Sequence, residues 1–320
     1  MGSTRLPNKV MREVGGIPLI ELLLTRLSQS TAIDQIILAT SIDPKNIPLV
    51  QHVESLGYQS FQGSENDVLE RFYFAAQQFD GDIIIRITGD CPLIDPQLVD
   101  EAIHKFKTGN VDYLSNNNPP TFPDGLDIEV FSFAALQRAH NESPIPSDRE
   151  HVTPYIRESG HFSTLNVASD QDFSNLRWTV DEDPDLEVVR FVVEHFAPNR
   201  LFSWKDVLRI YETYSVELNR NSAIARNEGA AMGTGQKLWK RAKAVIPGGN
   251  MLLSKRAEMF LPDQWPAYFS KSKGCKVWDL DGNEYTDMSI MGIGTNILGY
   301  GNDEVDNAVR KTVDAGNMST

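Results

Sequence analysis

DIIIRITGDCP, residues 82–92, reads as a short strand that stops at a small, acidic end. Asp82 to Thr88 is almost wholly apolar, as in a strand buried on both faces. Gly89-Asp90-Cys91-Pro92 breaks the run, and Pro96 to Phe106 continues at helical spacing. Upstream, DQIILATS (34–41) reads as a second buried strand. Helical patterns occupy 17–29, 47–56 and 66–79, the last with Asn66 or Asp67 as its cap. Downstream, strands are expected at 111–114, 126–131 and 176–181 (LRWTVD), around a polar, proline-rich loop at 116–124. Helices are expected at 133–141, 148–158, 185–196 and 204–214. Strands alternating with helices predict an α/β domain, Rossmann-like, with a mostly parallel sheet and helices on both faces. Ligands of such sheets gather at the carboxyl ends of the strands, where ATS (39–41), TGD (88–90) and TVDED (179–183) fall.

The 320 residues carry a formal net charge of −14. That argues against a nucleic-acid partner, which needs a basic stripe, but leaves a small anionic ligand open to local Arg and Lys residues. No stretch approaches the roughly 20 apolar residues that cross a bilayer, and Met1–Arg5 holds no apolar signal core. The expectation is a cytoplasmic protein with no membrane partner. Cys91 and Cys275 stand far apart without metal-type spacing, which speaks against both a disulfide framework and a zinc site.

The character changes at 216–235, where small and polar residues mark a linker. Residues 236–246 then read as a helix stopped by Pro247-Gly248-Gly249, and 274–288 as a hairpin turning at Asp281-Gly282. Three segments follow: a domain over 1–215, the linker, and a second segment over 236–320.

Two features of the first domain carry chemistry. In GSTRLPNK (2–9), small residues allow the backbone to approach a phosphate closely, and Arg5 and Lys9 add cationic donors. Asp90 and Asp181, at two strand ends, suit a shared Mg²⁺ that also holds triphosphate oxygens. Read singly, Asp90 and Asp181 are better explained as caps of the next helices, and GSTRLPNK as a basic turn.

Taken together, GSTRLPNKV, LATS, GSENDVLERF, RITGDCPLIDP, FPDGLDIEVFS, SDREHVTPYI and RWTVDEDPDLEVV resemble, in order and spacing, the CMP-sugar synthetase-like cytidylyltransferases of the spore-coat polysaccharide type. The resemblance covers residues 1–215. It implies CMP transfer from CTP to an acidic sugar of the Kdo or nonulosonate kind, with release of pyrophosphate. Ser3, Arg5 and Lys9 would then meet the phosphates. Ala39, Thr40, Ser41, Gly63, Asp67 and Arg71 would form the cytidine pocket, and Asp90 and Asp181 would hold Mg²⁺. The acceptor would lie over Asp124, Gly125, Asp127 and Glu129, with Arg149, Glu150 and His151 close by. His151 and Asp127 are the residues considered for acceptor deprotonation. The family pattern also places a β-strand and an Arg ahead of the GSTRLP turn, so the first strand is expected to be missing here, and it has Gly where Asn8 stands.

Residues 236–320 resemble the start of class III PLP-dependent aminotransferases of the glutamate-1-semialdehyde aminomutase type, through LWKRAKAVIPGGN, YFSKSKGCKVWDLDGNEYTDM and GIGTNILGYGNDEV. That resemblance implies a truncated piece of the fold, whose Schiff-base Lys and cofactor ligands lie further on. PLP would belong to the complete fusion and would not be bound by this chain. Relatives of both halves imply a homodimer. Two alternatives accompany the cytidylyltransferase reading: an aminotransferase-type fusion whose catalytic part is absent, and an inactive fragment.

Overall fold

Ile83–Arg86 forms a strand, and a computed structural model of the chain shows what surrounds it. The structure describes residues 5–144, 146–224, 226, 233–250, 256–261, 265–288, 294 and 296–316. They divide into two units: Met1–Pro144 with Asp148–Arg226, and Ile145–Ser147 with Asn227–Thr320.

Up to Arg226 the elements run β1 (Glu13–Val14), β2 (Ile17–Pro18), α1 (Leu19–Leu27), β3 (Ile37–Ser41), α2 (Ile47–Ser55), β4 (Gln59–Gly63), α3 (Val68–Gln78), β5 (Ile83–Arg86), α4 (Pro96–Gly109), β6 (Tyr113–Ser115), β7 (Glu129–Ser132), α5 (Phe133–Glu142), α6 (Pro146–His151), α7 (Pro154–Glu158), β8 (Thr164–Asn166), α8 (Asp183–Phe196), α9 (Trp204–Tyr211) and α10 (Ser215–Leu218). β3 and β4 pair in parallel, with Ser41 beside Gly63. A second sheet has the order β5-β7-β6-β8. The α/β architecture is present, and the sheets are mixed. β8 is parallel to β6, whereas β7 is antiparallel to both its neighbours. β7 follows β6 through a loop without a helix, so the chain returns in the opposite direction; a parallel return needs a longer crossover.

Side-chain alternation along the strands separates two cores. Leu114 and Val130 face one, with Leu22, Ile103, Trp178 and Val189. Their chain neighbours Tyr113 and Phe131 face the other, with Leu69, Leu136 and Ile156. This is the period of two that a sheet covered on both faces requires. Among the described residues β3 pairs only with β4, and β5 only with β7. Between them lies an apolar slot of about 480 Å³, lined by Leu24, Ile37, Leu38, Ile83, Ile85 and Ile103 among others.

Several local expectations are refined. Asp67, not Asn66, caps α3, accepting from Glu70 N at 2.8 Å. The helix expected over 148–158 is two helices, α6 and α7. Val152 takes a left-handed φ of 74° between them, a conformation no α-helix can continue through. Residues 176–181 form no continuous strand. Their ladder is a single bridge, Asp124 to Arg177, because the polar loop above contributes only Asp124 to the pairing. Leu218, expected in the linker, is buried in the larger core.

In the second unit, α11 (Thr234–Val245) precedes β9 (Phe269–Lys273), β10 (Lys276–Asp279), β11 (Glu284–Thr286) and α12 (Asp303–Asp314). The three strands form an antiparallel sheet, β11-β10-β9. Gly282 turns the expected hairpin at φ 85°. Trp239, Ala242 and Ala257 are its buried apolar cluster. No described helix is long and apolar enough to cross a membrane.

Candidate active site

Asn8, at φ 58°, turns the chain after the GSTRLP segment, a conformation Asn tolerates better than most residues. Lys9 follows, and its Nζ lies 2.8 Å from Asp90 Oδ2 and 2.8 Å from Asp181 Oδ1. Val180 N and Thr179 Oγ1 both donate to the Asp90 carbonyl, at 2.9 and 3.1 Å, which fixes the two acidic segments side by side. Arg5 reaches the same place, 3.2 Å from Glu182 and 3.5 Å from Asp181. Burial works against the charged forms here, yet the ion pairs outweigh it. Asp90 and Asp181 raise the Lys9 pKa, and Lys9 holds the Asp90 carboxyl below its ordinary value.

Arg177, two residues before the TVD segment, organises this cluster and was not singled out in the sequence. Its Nε donates to Asp185 at 2.9 Å, one terminal nitrogen to Asp124 at 2.6 Å, and the other to Asp181 at 3.0 Å and to Asp185 at 3.1 Å. Asp185 also accepts from the backbone N–H groups of Asp181 and Glu182 at the start of α8. A cation among the acids of RWTVDEDPD was the available signal, but which acids it joined depended on the fold.

Through Arg177 the Asp90–Asp181 pair is tied to the loop of Asp124–Asp127, where the acceptor is expected. Gly125 lets that loop lie flat: its φ is 105°, and a Cβ there would stand 2.4 Å from Thr179 N. The loop brings Asp124 and Asp127 together. Burial pushes the Asp127 carboxyl up to about 7; Arg226 opposes the rise, and Asp124, Glu129 and Asp90 add to it. Arg226 comes from the stretch read as linker and pairs with Asp127.

The expected cytidine residues are partly assembled. Ala39, Thr40, Ser41 and Arg71 line one cleft of about 200 Å³ with Asp43, Lys45, Asn46 and Glu65. Gly63 stands beside Ser41 across the parallel pair, and a Cβ on it would meet Arg71 Cγ at 3.0 Å. Arg71 Nε is buried without a hydrogen-bond partner in this cleft, and its terminal NH1 donates to Ser64 O at 2.8 Å. Asp67 instead pairs with Arg149 at 2.6 Å, which joins a residue expected on the acceptor side to one expected on the nucleotide side. Glu150 and His151 follow Arg149 on α6. Glu129 is buried, and its carboxylate is taken up by Arg86, by Tyr113 Oη at 2.6 Å and by Thr153 Oγ1 at 2.6 Å. Those bonds make it a tie between β5, β6, β7 and the segment before α7. Ser3 lies outside the described residues.

An α/β sheet that gathers a lysine and two carboxylates at its loop ends, beside a polar cleft, has the architecture of a nucleotidyltransferase. The sequence pattern of the cytidylyltransferase family matches residues 1–182, and the chain belongs to that family. It is 35% identical over 238 residues to the spore coat polysaccharide biosynthesis protein SpsF of Bacillus subtilis, covering 70% of this chain and 93% of that one. It is 35% identical over 106 residues to a 3-deoxy-manno-octulosonate cytidylyltransferase of Chloroherpeton thalassium, 32% of this chain and 42% of that one. A solved cytidylyltransferase from Leptospira borgpetersenii superposes with a TM-score of 0.66 at 29% identity, covering 69% of this chain and 93% of the other. A further 72 residues, 22% of the chain, are 42% identical to a 3-aminobutyryl-CoA aminotransferase of Cloacimonas acidaminovorans, of which they span 17%. The protein is a CTP-dependent nucleotidyltransferase, with a short segment similar to aminotransferases.

Proposed function

We propose that the chain transfers CMP from CTP to a hydroxyl of an acidic sugar of the 3-deoxy-manno-octulosonate or nonulosonate kind, releasing pyrophosphate, in the synthesis of a surface polysaccharide. The observation that carries this reading is the joint hold of Asp90 and Asp181 on the Lys9 ammonium, continued through Arg177 to the acceptor loop. The relatives named for polysaccharide and octulosonate chemistry support the acceptor class.

Two carboxylates already directed at one cation fit Mg²⁺, which binds through one or two carboxylates and keeps its other positions for water and phosphate oxygens. Asp90 and Asp181 would hold it, and once bound it supplies charge neutralisation at the triphosphate. Arg5 and Lys9 then serve as phosphate donors, with Lys9 exchanging a carboxylate oxygen for a phosphate oxygen. In the reaction an acceptor oxygen bonds to the α-phosphorus as the bond to the β-phosphate oxygen breaks. The acceptor proton leaves, and pyrophosphate departs in line. Of the two residues considered for taking that proton, Asp127 belongs to the charged cluster, and His151 lies on α6. A cytoplasmic homodimer belongs to the same reading. So does a pathway fusion, in which amination by a PLP enzyme and activation by CMP act on one sugar.

The test is calorimetric titration with CTP, ATP and UTP, with and without Mg²⁺, followed by pyrophosphate release with octulosonate as acceptor. CTP is expected to bind selectively and with Mg²⁺ dependence. Asp90→Asn and Asp181→Asn are each expected to lower turnover by about 10²-fold or more, the scale of losing preorganised electrostatic stabilisation. A cooperatively folded chain that binds no CTP would sink the reading.

A further inference from the structure

We propose that Arg226 is the acceptor-specificity residue of this transferase, holding the carboxylate of the acidic sugar above the Asp124–Asp127 loop. The inference deepens the reading above and rests on it.

The difficulty it resolves is electrostatic. The acceptor loop presents Asp124 and Asp127, with Asp90 and Glu129 close enough to act on Asp127. An anionic sugar meeting that field would be repelled unless a cation stood among the acids. Two nearby cations are already committed. Lys9 bonds to both Asp90 and Asp181. Arg177 directs Nε and both terminal nitrogens to Asp124, Asp181 and Asp185, and is itself buried, with 6% of its side chain exposed.

Arg226 is also paired, but it keeps donors to spare and is more exposed than Arg177. It arrives from 99 residues further along the chain than Asp127, in a stretch whose composition reads as linker. Its NH1 donates to Phe122 O at 3.0 Å, and its NH2 donates to Asp127. Its Nε stands 3.9 Å from Asp124, an ion-pair distance without a hydrogen bond. Among the described residues the Nε hydrogen and one hydrogen on each terminal nitrogen therefore carry no bond. A guanidinium in this state can bind a carboxylate through two parallel N–H groups, as a lysine cannot. At 15% side-chain exposure it is reachable by a ligand yet sheltered enough for the charge to count. Phe122, Asp124 and Asp127 fix the guanidinium from three points of one loop, so it is positioned before any ligand arrives.

The experiment measures pyrophosphate release at saturating CTP and Mg²⁺ for the wild-type chain, Arg226→Gln and Arg226→Lys. The acceptors are 3-deoxy-manno-octulosonate and its methyl ester, which removes only the charge. Wild type is expected to prefer the acid by at least about tenfold, roughly the scale of one charge-assisted pair. Arg226→Gln should raise KM for the acid by a similar factor, bring acid and ester within about threefold of each other, and leave KM for CTP unchanged. Arg226→Lys should recover part of the preference. A purely structural Arg226 would alter both acceptors equally, and that result overturns the inference. So does a fall in KM for the acid in Arg226→Gln, which would make the Arg226–Asp127 pair a plug of the site. If wild type binds CTP yet turns over no acidic acceptor, the acidic-sugar reading fails and the inference with it. Turnover of the acid with an unaltered KM in Arg226→Gln defeats the inference alone.

Discussion

Burial acts on Asp127 more strongly than its charged neighbours do, and its carboxyl is pushed up to about 7, against an ordinary value of 3.8. A folded-state pKa raised above the unfolded one means that the native chain keeps a proton the unfolded chain releases. Stability is therefore greatest below about pH 4 as far as this group is concerned, and declines as pH rises to about 7. Asp90 acts oppositely: its lowered pKa contributes stability that is lost as pH falls through its folded value, below 3.8. The two windows do not overlap, so they can be separated. Asp127→Asn should flatten the dependence of urea-unfolding free energy on pH between 4 and 7, by at most about 1.4 kcal/mol per pH unit, and leave the acid limb unchanged. An unaltered slope would show that Arg226 keeps Asp127 ionised throughout. At this scale the sequence was readable for the closeness of Asp90 and Asp181, although no strand runs up to either of them: both carboxylates contact Lys9. It was not readable for Arg177 and Arg226. A long cation reaches acids far away in the chain, and spacing alone does not say which ones. Glu129 shows the converse: the alternation in LDIEVF reads as a half-exposed strand with its acids outward, whereas Glu129 is buried and its carboxylate is taken up by Arg86, Tyr113 and Thr153.

Among the secondary-structure elements, strands and helices with strong periodicity were legible to within a few residues, as β3, α3, β5 and α4 illustrate. The segment at 176–181 was not, because pairing depends on a neighbour that its own apolar pattern cannot reveal. The slot between β3 and β5 raises the largest question at this scale. Its walls are apolar on both faces, from α1 and α4 and from α3, and the facing edges of β3 and β5 lack a ladder partner among the described residues. A strand of apolar, β-branched residues laid between β3 and β5 would fill this slot and join the two sheets into one. Each ladder bond it formed would contribute about 0.5–1.5 kcal/mol, and each buried Ile or Val side chain about 1.5–3 kcal/mol. An N-terminal extension of six or so apolar, β-branched residues is therefore expected to raise the melting temperature and to reduce the binding of an apolar dye. Placing a proline at the centre of the extension should abolish both effects, because proline has no N–H to donate and is not tolerated between two paired strands. If the proline variant stabilises equally well, the added residues do not enter the slot.

For the whole molecule, the two units differ in how much apolar surface they bury. Among the described residues, both large cores, thirty-five and eight buried residues, belong to residues before Asn219. Among the described residues, the second unit's cluster has three, Trp239, Ala242 and Ala257. It leaves Met288, Ile297 and Leu298 at least 70% exposed, together with a stripe of Val305, Val309 and Val313 along α12. A core that small contributes little against the conformational entropy of the residues it orders. The composition break near residue 215 was visible in the sequence; what composition could not show is that Leu218, Asn221 and Arg226 still belong to the first unit, since their roles are set by the partners they meet. The boundary that follows is the one to test by shortening. A chain of residues 1–226 keeps both cores, the charged cluster and Arg226, and is expected to melt within about 2–4 °C of the full chain, the shift of a change near 1 kcal/mol. Its binding of an apolar dye should fall, because the exposed stripe and loop residues are gone. A chain of residues 1–215 should melt well below both. It loses Leu218 from the core, and it loses the Asn221 amide that donates to Arg177 O at 2.9 Å and to Asp185 at 2.8 Å. Equal melting of the two shortened chains would place the boundary back at residue 215 and leave Arg226 without a structural reason to be held where it is.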